Sequence, residues 1–247
     1  MSAVPPPGAP AGSASATSGP DAALVRAMFT RIARRYDLMN TLMTGGRHHA
    51  WRRGVARAAV AAPPGTILDV ATGTGDLALA VRTLDGARTI VGADFSEGML
   101  RAARVKLAAR RARLPLLAAD ALALPFADAS FACVTSAFLL RNLADLGRGL
   151  EEMRRVTRRG GRVVSLEIVR PAAPVWGRLF GAWFRSVVPA MGALVAGDRQ
   201  AYAYLPRSVD RFLTAADLAR AMERAGLRDV HWRAMGLGTV ALHVGTA

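Results

Sequence analysis

Cysteine is almost missing from this chain: Cys133 is the one thiol in 247 residues. A lone cysteine cannot close an internal disulfide or build a multi-thiolate metal site. It sits in an apolar run, so it reads as a buried structural thiol rather than a nucleophile. Lysine is as scarce. Of 33 basic residues only Lys106 is lysine, and the others are arginine. Acidic residues number 18, which leaves a formal net charge of +15. A composition biased toward Arg, Ala and Gly explains much of that charge. The remainder would attract a polyanion, either nucleic acid or an anionic membrane face. No run approaches the roughly 18 uninterrupted apolar residues of a membrane span. Residues 1–20 contain no arginine and no apolar stretch, so neither a transit peptide nor a secretory signal is expected. The histidines are His48, His49, His231 and His243, and no His/Cys/Asp group has ligand spacing. The expectation is a cytoplasmic protein without a metal, with contact to the inner face of the cytoplasmic membrane left open.

What is present is apolar: 52% of residues are hydrophobic, ample for a core. Residues 1–20 are Pro, Gly, Ala and Ser with little else, and read as a disordered tail. Residues 21–62 read as an N-terminal helical cap. Asp21 would cap its first helix, with Val25, Met28, Phe29 and Ile32 on one face. A second short helix follows from Tyr36 and breaks at Gly45-Gly46. A third covers 48–61, placing His48 and His49 in a basic, solvated or headgroup-facing position. Residues 63–247 then alternate strand and helix. Strands are expected at 66–70, 89–94, 114–119, 131–136 and 162–169, and helices at 76–84, at 97–110 behind Ser96, and at 146–157. This alternation gives βαβ units and a parallel sheet. A hairpin of 228–234 and 239–244 closes the chain, with His231 and His243 in structural roles.

The segment 171–212 breaks the pattern and reads as a substrate-side insertion. Trp176, Phe180, Trp183, Phe184, Val187 and Val188 fall on one helical face, and Pro189 should kink or end that helix. The stripe is either packing with partial exposure or a groove for an apolar tail. Asp198, Tyr202 and Tyr204 either line a substrate or belong to a polar loop that caps a helix.

Chemistry concentrates in Asp69-Val70-Ala71-Thr72-Gly73-Thr74-Gly75-Asp76-Leu77-Ala78. A strand, a glycine turn and a helix start form a nucleotide-binding corner. Gly73-x-Gly75-x-x-Ala78, with Asp94 about 20 residues on, also satisfies the dinucleotide fingerprint. A pyrophosphate, however, needs positive potential at the helix N-terminus. Asp69 and Asp76 at the corner suit a cationic ligand instead. S-adenosylmethionine (SAM) carries a sulfonium and an ammonium and no phosphate. Asp94 could accept from both ribose hydroxyls, and Asp120-Ala121 could meet the adenine amine.

The stretch from Asp69 to Ala78 resembles motif I of class I SAM-dependent methyltransferases. Further motifs resemble the menaquinone/ubiquinone-biosynthesis C-methyltransferases: Phe29-x-x-Ile32-Ala33-x-x-Tyr36-Asp37, Asp94-Phe95-Ser96-Glu97-Gly98-Met99-Leu100, Asp120-Ala121-Leu122-Ala123-Leu124-Pro125-Phe126, Leu140-Arg141-Asn142, Gly197-Asp198 and Tyr204-Leu205-Pro206. The resemblance runs from about Val25 to Val244. It implies a Rossmann-like α/β fold with a mostly parallel seven-stranded sheet, helices on both faces and an antiparallel C-terminal hairpin. It implies that Thr74, Asp94, Asp120 and Ala121 touch SAM, beside Asp69, Gly73 and Gly75 of the corner. It also implies C-methylation of a polyprenylated quinol, demethylmenaquinol foremost, with a benzoquinol of ubiquinone synthesis as the alternative. The pattern departs at Leu139, where the family has glycine; a bulkier residue there should narrow the ring pocket.

Catalysis of this kind is mostly positioning. Arg141 would stabilise a phenolate, working through a water, because Arg itself is effectively never deprotonated. Asn142 would orient the ring hydroxyl, and Tyr36 would close the pocket. For Arg141 the plainer alternative is a surface salt bridge with Asp145. Rival readings are an RNA methyltransferase, a non-catalytic SAM-binding assembly protein and an NAD oxidoreductase. No nucleic-acid partner is expected, and a homodimer is left open.

Overall fold

The computed structural model describes residues 19–171, 174–196 and 198–247. The expected tail at 1–20 therefore lies almost wholly outside the described residues, as do Gly197 and the side chain of Trp176. Three helices open the chain. α1 (Ala22–Ile32) starts where the Asp21 carboxylate accepts from the backbone N–H groups of Ala23 and Leu24. α2 (Tyr36–Thr44) ends at Gly45, whose φ of +56° suits glycine. α3 (Arg47–Val60) follows. Then come β1 (Ile67–Val70), α4 (Asp76–Leu84), β2 (Ile90–Asp94), α5 (Glu97–Ala109), β3 (Leu116–Ala118), β4 (Phe131–Ala137), α6 (Leu146–Val156), β5 (Thr157–Ile168), α7 (Pro174–Met191), α8 (Arg199–Asp210), α9 (Ala215–Arg224), β6 (Arg228–Met235) and β7 (Val240–Thr246).

The strands form one seven-stranded sheet in the order β3-β2-β1-β4-β5-β7-β6. β1 to β5 pair in parallel, and β7 runs antiparallel to both β5 and β6. The expected architecture stands. Strand order reverses between β1 and β4, which opens a crevice at their carboxyl ends. The register sets Val70 beside Ala93 on one side and Ser136 on the other. The turns after β1, β2 and β4 therefore leave the sheet at one edge.

Alternation along each strand feeds two cores. Leu68 and Val70 join Val134 and Val163 on one face. Ile67 joins Cys133 and Val164 on the other, where α3 adds Val55, Ala56 and Ala59. α3 is thus a covering layer of the sheet, while α1 and α2 reach over its carboxyl edge. Each fully buried Leu or Ile contributes about 1.5–3 kcal/mol. Cys133 is fully buried, and burial pushes its thiol up to about 12.

Two elements differ from the sequence reading. β5 begins at Thr157, because Thr157 pairs with Phe131 and Arg162 with Cys133; Arg159-Gly160-Gly161 is a bulge inside the strand. α7 runs through Pro189 to Met191 and passes into a π-type turn at Gly192–Ala196. Proline removes one backbone donor near the helix end, and the backbone adjusts with wider hydrogen bonding rather than stopping there. Asp198 does cap a helix: it accepts from the Ala201 N–H at the start of α8.

Candidate active site

The β1–α4 turn is built from left-handed residues, Ala71 at φ +54°, Gly73 at +58° and Gly75 at +86°. Gly73 has open space where a Cβ would stand. Its N–H donates to Asp94 Oδ2 at 2.8 Å, and the Ser96 N–H donates to Asp94 Oδ1 at 2.8 Å. Each carboxylate oxygen keeps a second acceptor position. That geometry fits two neighbouring ribose hydroxyls. Burial raises the Asp94 carboxyl to about 6. Asp120, after β3, accepts from the Leu122 N–H at 2.9 Å. Gly73, Asp94, Asp120 and Ala121 line a cavity of about 70 Å³ whose wall also includes Ala22 and Val25 of α1. These residues fit SAM, but the space is well below the ~300–1,000 Å³ usual for small-molecule sites. α1 lies across it.

The corner's two aspartates do not face this cavity, contrary to the electrostatic argument from sequence. Asp69 is buried behind the turn, where its oxygens accept from Thr72 Oγ1 at 2.7 Å and Thr135 Oγ1 at 2.9 Å. Burial raises its carboxyl to about 6. Asp76 pairs with Lys106 at 2.6 Å and with Arg52 at 3.9 Å. Local acidity at the cavity comes from Asp94 and Asp120. The Thr74 hydroxyl also turns elsewhere, donating to Asp37 Oδ1 at 2.7 Å and accepting from Lys106 Nζ at 2.8 Å. Lys106 bridges Asp37 of α2 and Asp76 of α4, at 2.5 Å and 2.6 Å.

A larger cavity of about 530 Å³ adjoins the first. Its wall is mostly apolar, with Met28, Ile32, Trp51, Phe184 and Leu205 among its residues. Phe29, Tyr36, Phe138 and Asn142 line both cavities and form the partition between them. Phe180 and Trp183 of the aromatic stripe also line the larger one, and Trp183 is 40% exposed. Leu139 lines the smaller cavity and not the larger, so it does not narrow the larger pocket as expected. Its φ of −92° needs no glycine; the left-handed residue here is Phe138 at +63°.

Arg141 and Asn142 sit in a short 3-10 turn after β4, both buried. Arg141 Nη1 donates to Glu167 Oε1 at 2.5 Å and to the Phe138 carbonyl at 2.9 Å. The Arg141 backbone N–H also reaches Glu167, at 3.3 Å to Oε2. Arg141 therefore forms a buried ion pair, and Asp145 caps α6 instead. Asn142 Nδ2 donates to the same Phe138 carbonyl at 3.0 Å, and its Oδ1 accepts from the Tyr204 hydroxyl at 3.2 Å. Glu167 escaped the sequence reading although its signal is there. It is a lone charge in the strand run Val163-Val164-Ser165-Leu166-Glu167-Ile168-Val169, and a fully buried carboxylate is almost always paired.

His48 is buried rather than solvated. Burial, reinforced by Arg52, holds its imidazole down at about 4. Its Nε2 bonds Thr41 Oγ1 at 3.1 Å, and its Nδ1 meets the Arg52 guanidinium. The fold does bring His48, His49 and Asp76 within reach of a common point, which spacing alone did not suggest. Arg52 and Lys106 already bond two of the three.

A model of the ubiE/COQ5 methyltransferase family matches residues 17–247. The demethylmenaquinone methyltransferase of Deinococcus radiodurans is 44% identical over 221 residues, covering 90% of this chain and 91% of its own. That of Thermus thermophilus is 44% identical over 218 residues, covering 88% and 99%. Among solved structures, the [4+2]-cyclase SpnF aligns with a TM-score of 0.69 at 19% identity, covering 94% of this chain and 98% of its own. A SAM-dependent methyltransferase of Thermotoga maritima aligns at 0.63 and 19% identity, covering 89% and 98%. At such identity the solved structures speak for the fold alone. The sequence relatives reach further, and by them the chain belongs to the ubiE/COQ5 methyltransferase family, enzymes that use SAM as methyl donor.

Proposed function

We propose that the enzyme methylates a ring carbon of demethylmenaquinol, completing a menaquinol. The observation that supports this reading is the shared partition: a small cavity bearing Asp94 and Asp120 and a larger, mostly apolar one meet at Phe29, Tyr36, Phe138 and Asn142. SAM supplies an electrophilic methyl on a sulfonium. Asp94 accepts the ribose hydroxyls, and Asp120 with Ala121 takes the adenine end. On the acceptor side the Arg141 guanidinium stabilises the ring oxygen as its proton passes through a water to bulk solvent. Glu167 fixes the guanidinium from behind, leaving Nε for that oxygen. Asn142 and Tyr204, bonded to each other, orient the hydroxyl, and Tyr36 shields the transfer from water. A phenolate and a sulfonium cancel charge as they react, which a dry site favours.

The isoprenoid tail leaves between Trp183 and the loop bearing Leu237. Both line the large cavity, and Leu237 is 71% exposed. No helix among the described residues is long and apolar enough to cross a membrane. Contact with lipid is therefore peripheral in this reading. The deciding assay is anaerobic, with SAM and short-tailed naphthoquinol or benzoquinol, read by mass spectrometry. Methylated naphthoquinol supports the proposal; product from the benzoquinol alone assigns the enzyme to ubiquinone synthesis. Arg141→Lys should lower kcat by about 10²-fold, the loss typical of a removed oxyanion donor. Full turnover in that variant would rule out stabilisation through Arg141 Nε.

A further inference from the structure

We propose that Asn40 and Tyr202 form a second oxygen-binding point, which holds the acceptor ring by the oxygen that Arg141 does not contact. The inference rests on the quinol reading above. Among the described residues, four buried side-chain polar atoms have no hydrogen-bond partner: Asn40 Nδ2, Arg141 Nε, the Tyr202 hydroxyl and His243 Nδ1. Three of these four residues line the larger cavity. An unsatisfied buried polar atom costs about 1–3 kcal/mol. These three residues share one mostly apolar wall, and a ligand whose polar atoms reach them satisfies all three.

Their placement separates them into two points. Arg141 stands at the sheet edge, after β4. Asn40 is on α2 and Tyr202 on α8. Tyr36 and Asn40 lie four residues apart, on one face of α2, and both line the cavity. Tyr202 is 4% exposed, and its side chain lies where a Cβ at Gly192 would stand, so the ring has little freedom. Burial, then the neighbouring Tyr36 and Asp198, push its ionisation well up, so the hydroxyl remains a donor. Tyr204, two residues on, is already committed to Asn142.

All three unpartnered atoms can donate, and Arg141 Nε and Asn40 Nδ2 can only donate. The matching ligand presents oxygen acceptors at two separate places on an apolar body. A ring with two oxygens does so; a simple phenol does not. Two anchor points also stop the ring from rotating in its own plane. That decides which ring carbon faces the methyl group, a choice a single anchor would leave open.

The test is equilibrium binding, read by quenching of Trp51 and Trp183, which line the cavity. The probes are a short-tailed demethylmenaquinol, kept reduced, and two analogues that each lack one ring oxygen. Tyr202→Phe removes only the hydroxyl. It should weaken quinol binding roughly tenfold, the scale of one hydrogen bond, and leave one analogue's Kd unchanged. Asn40→Leu should behave alike. An unchanged quinol Kd in both variants overturns the proposal, and so does an equal loss for the quinol and both analogues. Product formation by the wild type is measured in parallel. Binding without methylation would reject the quinol-methylation reading while the Kd pattern still reports on Asn40 and Tyr202.

Discussion

Asp94 shows how one side chain sets a pH limit. Burial lifts its carboxyl to about 6, above the ordinary carboxylate value. Its contribution to stability is therefore fully present in acid and is lost as pH rises through about 6. Cofactor binding runs the other way, because only the ionised form accepts both ribose hydroxyls. SAM should bind about tenfold more weakly at pH 5 than at pH 7, since each pH unit below the group's pKa costs a factor of ten. Titration calorimetry at the two pH values checks this; Asp94→Asn should bind weakly at both. Glu167 and Arg141 make a second residue-scale case. Removing one partner of a buried pair leaves an uncompensated charge and costs about 3–5 kcal/mol. Glu167→Gln should lower the Tm accordingly and reduce kcat more than it changes KM for the quinol. A loss of stability with kcat intact would reduce Glu167 to a purely structural role.

At the scale of elements, α1 and α2 are held by few contacts to the corner they cover. α1 seats directly on the start of α5: Thr30 Oγ1 lies 2.9 Å from Ser96 Oγ, and a Cβ at Gly98 would meet Thr30 Cα at 2.9 Å. α2 is tied through Asp37 to Thr74 and Lys106. Gly98→Ala should therefore unseat α1, raise deuterium uptake over residues 22–44 and weaken SAM binding, with uptake in β1 to β5 unchanged. Uptake unaltered over 22–44 would mean that α1 absorbs the methyl group in place. The strands were legible because buried parallel strands are short apolar runs between turn residues. Helices α1 and α5 were legible from Asp21 and Ser96 as caps. α8 was half-legible: a cap at Asp198 was one of two alternatives, and the helix then runs through Pro206. The corner aspartates misled because sequence gives their neighbourhood and not their direction. Asp69 faces Thr135, which lies 66 residues further along the chain. His48 misled likewise, since Arg47 and His49 beside it are exposed while it is buried.

For the molecule as a whole, 33 basic residues outnumber 18 acidic ones, and Trp183 and Leu237 of the large cavity are exposed. If the tail leaves there, the protein should float with anionic vesicles, and salt should weaken that association by screening. Replacing Leu237 with Asp should reduce flotation while leaving turnover of a short-tailed acceptor in solution intact. Flotation that ignores both salt and Leu237→Asp would exclude this face as the contact. The arginine bias has another outcome. Lys106 is the only lysine, and its amine bonds Asp37, Thr74 and Asp76. Apart from any chain terminus, an acylating reagent has one amine to find, and that amine is ion-paired with Asp37 of α2 and Asp76 of α4, so lifting α2 should speed its acylation. The unmodified enzyme thus carries a native, single-site chemical reporter. Its labelling rate, followed by intact mass with and without SAM, times the opening of the cofactor corner without any engineered tag.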